Sequence, residues 1–132
     1  MTGADACREG KELLVRLLNQ TGVPRNTAGY SYLFLLALRL AETNAVKVHL
    51  FTELYPQIAA ELDSSVSKIE RSIRYAIEAA WNRNREGLKR SLGYHHDVRP
   101  YASEFIWHLT DQYRILLRSV QHFPLHCDHT VS

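Results

Sequence analysis

The stretch LYPQIAAELDSSVSKIERSIRYAIEAAWNR, residues 54–83, decides the fold. Proline is tolerated in a first helical turn and disruptive further in, so PQIAAEL at 56–62 reads as a short helix opened by Pro56. Asp63 then takes the turn position usually held by glycine, because Asp is among the few side chains that accept a left-handed backbone. Ser64 or Ser65 caps the start of a second helix. Ala59 is small enough to let the two helices approach, and Leu62 is expected to close the apolar face of the first. At about 100° per residue, Val66, Ile69, Ile73, Ala76, Ile77 and Ala80 fall on one stripe of the second helix. Two short helices, a tight turn and a small interior residue are the requirements of a helix-turn-helix.

The face opposite that stripe carries Ser67, Lys68, Arg71, Tyr75 and Glu78, with Glu70 and Arg74 flanking it at the i,i+4 spacing that lets them pair. In a helix-turn-helix the exposed start of the second helix enters the major groove. There Arg or Lys donates to guanine O6 and N7, and Glu accepts from cytosine N4. A solvated helix face has similar composition, but charge is spread unevenly along the chain. Residues 1–62 hold six bases and six acids, residues 63–92 seven bases and four acids, and residues 93–132 three bases and four acids. The positive excess is therefore confined to the second helix and the ten or so residues after it, the localised footprint of an anion-binding element. Arg83, Arg85, Lys89 and Arg90 in the same block suit phosphates, which fix a protein on the duplex without reading sequence. Ser65 and Tyr75 are placed with them.

Before this stretch, REGKELLVRLLNQ at 8–20 sets Leu13, Leu14, Leu17 and Leu18 at helical spacing, and TGVP at 21–24 stops that helix. GYSYLFLLALRL at 29–40 is apolar on nearly every side, as expected of a helix buried in a small bundle. Residues 43–62 read as continuing helix with a boundary at Pro56, residues 84–92 as a short helix ending at Gly93, and about 103–120 as a long last helix with Ser103 at its N-cap. No segment alternates as a strand does. The fold class expected is all-α, a compact bundle of about six helices containing the helix-turn-helix, with residues 1–132 as one domain, its core at about 8–120 and a C-terminal tail at 121–132. Trp81, Trp107, Tyr30 and Tyr32 are expected in the core.

Several chemistries find no support. The start MTGADACREGKELL mixes acids and bases where a signal peptide would be basic and then greasy, and YLFLLAL at 32–38 is far short of the roughly 20 residues that cross a bilayer. A cytoplasmic location without membrane contact is expected. Cys7 and Cys127 have no CxxC partner, which suits reduced thiols. His122, His126, Cys127 and His129 in the tail HFPLHCDH have spacings that could ligate zinc, but the stretch follows the last helix and contains Pro124, so an ordinary polar terminus is expected and no metal or other cofactor. His95 and His96 stand in a loop with no nucleophile or base arranged about them. An enzyme is not expected.

The blocks GVPRNTAGYSYL at 22–33, LYPQIAAELDSSVSKIERSIRYAIEAAWNR at 54–83, LGY at 92–94 and SEFIWHLTD at 103–111 resemble, in order, the C-terminal DNA-binding effector domain of the stage 0 sporulation protein A family, the sporulation regulators of endospore-forming bacteria. The resemblance covers roughly residues 10–115. It implies a bundle of about six helices and a sequence-specific transcription factor that binds double-stranded DNA. The family's base-contacting Arg-x-Glu-Arg core falls on Lys68, Glu70 and Arg71, and a nearby Arg on Arg74. Lys68 departs from the family pattern, offering a point charge in place of a planar fork. The resemblance also implies contact with the RNA polymerase sigma factor around Leu92, Gly93 and Tyr94, and head-to-tail dimers on tandem DNA sites packed through the last helix. Residues 1–10 are too few for the receiver domain that begins family members. That leaves a receiver-free relative, whose DNA binding phosphorylation would not gate, or an excised domain. The competing function is a receiver-free protein-interaction module that engages polymerase or a full-length family member instead of DNA.

Overall fold

In the computed structural model, residues 3–42 and 53–120 are described. They form five helices: α1 (Gly3–Thr21), α2 (Ala28–Glu42), α3 (Tyr55–Glu61), α4 (Val66–Leu92) and α5 (Ala102–Val120). No strand occurs among the described residues. The expected continuation of helix across 43–52 lies outside them.

α1 turns Leu14, Leu17 and Leu18 into the core. It ends where the Thr21 hydroxyl donates to the Leu18 carbonyl at 2.6 Å and Gly22 takes a φ of 90°. Thr27 then opens α2, its hydroxyl accepting from the Tyr30 amide at 3.4 Å. α2 packs against α1, α4 and α5, and Tyr30, Tyr32, Leu33, Leu36, Ala37 and Leu40 are all buried. That encirclement explains its near-continuous apolar run, since a helix with neighbours on most sides has no polar face to keep.

α2 and α4 approach closely in the core. A Cβ added at Gly29 would meet the Ser72 carbonyl oxygen at 2.4 Å and the Ala76 Cβ at 2.6 Å. The two backbones are close enough there that only glycine fits. α4 supplies the other side of the seam with Ile69, Ile73, Ala76, Ile77 and Ala80, each at most 2% exposed. Burying an Ile side chain stabilises by roughly 1.5–3 kcal/mol, so the three isoleucines alone hold α4 in one rotational setting. Val66, the first residue of the expected stripe, is half-buried at its edge.

α4 is straight only to Arg83. Asn84 has non-helical angles (φ −152°, ψ 51°), and its side-chain nitrogen donates to the Gln20 carbonyl at the end of α1 at 3.0 Å. The side chain sits where a Cβ on Gly22 or Gly87 would stand, 2.7 Å and 2.4 Å from its nearest atoms. The expected boundary near residue 84 is thus a kink inside one helix, and counting its two limbs separately gives six helical segments among the described residues, against about six expected. The second limb ends at Gly93 (φ 64°), with the Tyr94 amide donating to the Lys89 carbonyl at 2.9 Å.

Two local expectations are corrected. Ser103 is not the N-cap of α5. The cap is Tyr101, whose carbonyl accepts from the Phe105 amide at 2.9 Å and whose own amide donates to the Glu104 carboxylate at 2.8 Å. A Glu at the third helical position can close the first turn by itself, which leaves Ser103 exposed inside it. Leu62 does not close the apolar face of α3: it stands just past the last helical residue and is 43% exposed.

Gly29→Ala tests the α2–α4 seam. The methyl would meet backbone, which cannot swing aside, so a loss of about 1–3 kcal/mol is expected, the usual cost of overpacking. Urea unfolding followed by circular dichroism would measure it, with Ala28→Gly at the neighbouring exposed site as the control for simple helix propensity.

Candidate nucleic-acid interface

The corner between α3 and α4 is built as its residues dictate. Asp63 is the one non-glycine residue with positive φ (53°) among those described. Around it the Ser64 amide donates to the Ala59 carbonyl at 2.8 Å and the Asp63 amide to the Ala60 carbonyl at 3.5 Å. That pair of bonds is the Schellman closure, here made with Asp where glycine is commonest. Of the two serines, Ser65 is the cap: its backbone is extended and its hydroxyl accepts from the Lys68 amide at 3.1 Å. The Ser64 hydroxyl instead lies 3.3 Å from the Tyr32 hydroxyl, tying the turn to α2. Arg39 of α2 grips both carboxylate oxygens of Glu61, one at 3.0 Å, and raises its own pKa while lowering that of Glu61 through this bond. With Ile58 and Ala59 buried beneath, α3 and the turn are fastened to the bundle on three sides.

The first limb of α4 therefore presents one face to solvent. Ser67, Lys68, Arg71, Arg74, Tyr75 and Glu78 are exposed, Tyr75 at 62%. Among the described residues, neither the Lys68 ammonium nor the Arg71 guanidinium is held in an ion pair or side-chain hydrogen bond. Glu70 and Arg74 pair at 2.8 Å as their spacing anticipates, with Glu70 the more covered of the two. Beneath them Tyr55 is buried, and burial, helped by the charge of Glu70, pushes its phenol up to about 12. It stays neutral at any working pH.

The second basic group is less uniform. Arg83 and Arg90 are exposed. Arg85 is exposed too, but its guanidinium lies over the Trp81 ring, 4.6 Å from the centroid, which orients the charge while leaving its donors outward. Lys89 is paired with Asp97, and that bond raises the lysine pKa and lowers that of the aspartate.

Leu92 and Tyr94 are core residues, 1% and 3% exposed. Tyr94 is ringed by Trp81, His96 and His108 in edge contacts, and its hydroxyl donates to the Val98 carbonyl at 2.6 Å. A partner meeting this corner would touch Gly93 and the exposed His95, His96 and Asp97 in place of those two side chains. Trp81, Tyr30 and Tyr32 are buried as expected, and Trp107 is half-buried against the core. The histidines and cysteine of the tail lie outside the described residues, and among the described ones no group of three metal-ligating side chains converges. Among the described residues, no helix is long and apolar enough to cross a membrane.

One residue that sequence reading passed over joins the exposed face. Arg99, in the segment between α4 and α5, bridges to Glu78 at 3.3 Å. With it comes a groove of about 420 Å³ along the flank of α4, lined by Glu70, Arg74, Arg99, Tyr101 and Ser103 among others. The place of Arg99 there had no sequence signal, because it stands in the acidic third of the chain, 21 positions from the glutamate it meets.

The α3–α4 corner, the basic face and the groove all fall within one family match. The model described as "Sporulation initiation factor Spo0A C terminal" covers residues 14–113. That span runs from the first buried leucine of α1 to Tyr113 of α5 and includes all four blocks of the sequence resemblance, so the chain belongs to the family of the C-terminal part of sporulation initiation factor Spo0A.

Proposed function

We propose that the protein is a sequence-specific DNA-binding transcription factor of the sporulation-regulator type, reading the major groove with the start of α4. The observation that carries this is the pairing of two unengaged cations, Lys68 and Arg71, with a helix whose opposite face is locked into the core. Base readout needs donors held in a fixed frame, because each bidentate contact is directional.

The roles follow from chemistry and exposure. Arg71 donates its fork to guanine O6 and N7. Lys68 donates to a purine acceptor as a point charge, with less angular selectivity than an arginine. Glu70 accepts from cytosine N4, and Arg74, its ion-pair partner, holds the carboxylate in place or adds a donor. Ser67 reaches the same groove floor. Ser65, Tyr75, Arg83, Arg85 and Arg90 meet phosphates on either side, and Lys89, already paired with Asp97, joins them with its remaining N–H donors. A sigma-factor contact near Gly93 and head-to-tail pairing through α5, where Ile115 is 45% exposed, extend this reading to a factor that works on tandem sites beside polymerase.

The interaction-module alternative draws on the Glu70–Arg74 pair, which occupies two of the base-reading groups with each other. A titration separates the two. The purified protein, measured by fluorescence anisotropy against a duplex with the family's binding element and a scrambled duplex, should prefer the element by at least about tenfold, with affinity falling steeply as salt rises and counterions are released. Equal weak binding to both duplexes would favour the interaction module.

A pair of variants checks the division of labour. Arg71→Ala should cost on the order of 1–3 kcal/mol of discrimination between the duplexes. Arg83→Ala should weaken both duplexes alike and leave their ratio unchanged. Loss of discrimination in Arg83→Ala with none in Arg71→Ala would reverse the assignment.

A further inference from the structure

The groove beside α4 shares Glu70 and Arg74 with the base-reading edge and continues past them to Arg99, Tyr101 and Ser103, where its position and lining fit a second strand contact. Lys68 and Glu78 are ten residues apart, which is ~15 Å along the axis at ~1.5 Å per residue. A major groove is ~12 Å wide. A helix whose first turns reach the bases therefore carries its tenth residue out to the rim, where the sugar-phosphate strand runs. Arg99 is bridged to Glu78 at that level.

We propose that this groove seats the DNA sugar-phosphate backbone, with Arg99 donating to a phosphate at the rim of the major groove that α4 enters. The proposal rests on the reading of the protein as DNA-binding. Two guanidiniums, Arg74 and Arg99, the Glu70 carboxylate, and the hydroxyl-bearing Tyr101 and Ser103 line the groove, with Ile77 and Tyr55. Phosphate oxygens match the cations and hydroxyls, and deoxyribose matches the apolar lining. Glu70 and Glu78 are each held by the arginine beside them, so the groove offers directed N–H donors rather than a net positive charge. The Arg99–Glu78 pair is exposed on both sides, 43% and 53%, and such pairs are weak. Guanidinium has five donors, so Arg99 can keep Glu78 and still take a phosphate. Tyr101, 79% exposed at the lip, is positioned to cover a sugar.

The test compares the wild-type chain with Arg99→Ala, Glu78→Gln and the double variant, each against the element and scrambled duplexes over a salt series, with thermal unfolding as the folding control. Arg99→Ala should weaken both duplexes by the same factor, reduce the slope of log affinity against log salt by about one, and leave the preference for the element intact. The double variant should keep the reduced slope. An Arg99→Ala slope equal to wild type would overturn the proposal, and so would a slope restored in the double variant, which would mean that Arg99 only masks Glu78. If Arg99→Ala lowers the unfolding midpoint, Arg99→Gln, which removes the charge but keeps a polar side chain with N–H donors, is read by the same criteria. A wild type that discriminates while Arg99→Ala matches it removes this inference alone. A wild type with neither discrimination nor salt dependence removes the DNA-binding reading and this one with it.

Discussion

The contact between Gly29 of α2 and the Ser72–Ala76 turn of α4 is the constraint on which the interface depends. With no side chain at Gly29, the α4 backbone lies almost against α2, and Ile69, Ile73 and Ile77 then fill the space on either side of that point. Rolling α4 would break this packing, and tightly packed interiors tolerate few alternative arrangements. The direction in which Lys68 and Arg71 face is therefore a property of the core. Asn84 adds the second anchor, tying the far end of the first limb to the last turn of α1 and sending the basic second limb off at its own angle.

The electrostatics of the exposed face are arranged in two tiers. Lys68 and Arg71 have no acidic partner among the described residues, while Arg74 and Arg99 are each matched with a glutamate at 2.8 Å and 3.3 Å. The unmatched charges stand at the start of the helix and the matched ones farther along its flank. An unmatched cation gives its full charge to an arriving anion, whereas a matched one must share it. Attraction is thus concentrated at the end that would enter a groove, and the flank contributes donors whose positions are already set. The folded corner beneath, with Asp63 in the left-handed region and Ser65 as cap, holds that end at a defined height above the bundle.

Much of this was legible in the sequence because it is local. The isoleucine stripe, the Asp63 turn, the serine cap and the Glu70–Arg74 pair all depend on residues within one or two turns of each other, and periodicity and backbone preference report them directly. Ser103 misled for a local reason too: serine is a good cap, but Glu104 closes the first turn of α5 from within and moves the cap to Tyr101. What stayed hidden was set by distance along the chain. Gly29 looks like a helix start until Ser72 is seen 2.4 Å from where its Cβ would be. Leu92 and Tyr94 resemble a surface motif until Trp81, His96 and His108 close around the tyrosine. Arg99 lies in an acidic third of the sequence, and only the return of the chain before α5 brings it to Glu78.

The fixed, exposed start of α4 is the element proposed to meet the duplex. Amide chemical shifts of the isotope-labelled protein, followed during titration with the element duplex, test it most directly. The largest changes are expected at Ser65–Tyr75, smaller ones around Arg83–Arg90, and none on the solvent face of α1. Changes confined to α5 or to Gly93–Asp97, with Ser65–Tyr75 unmoved, would contradict it.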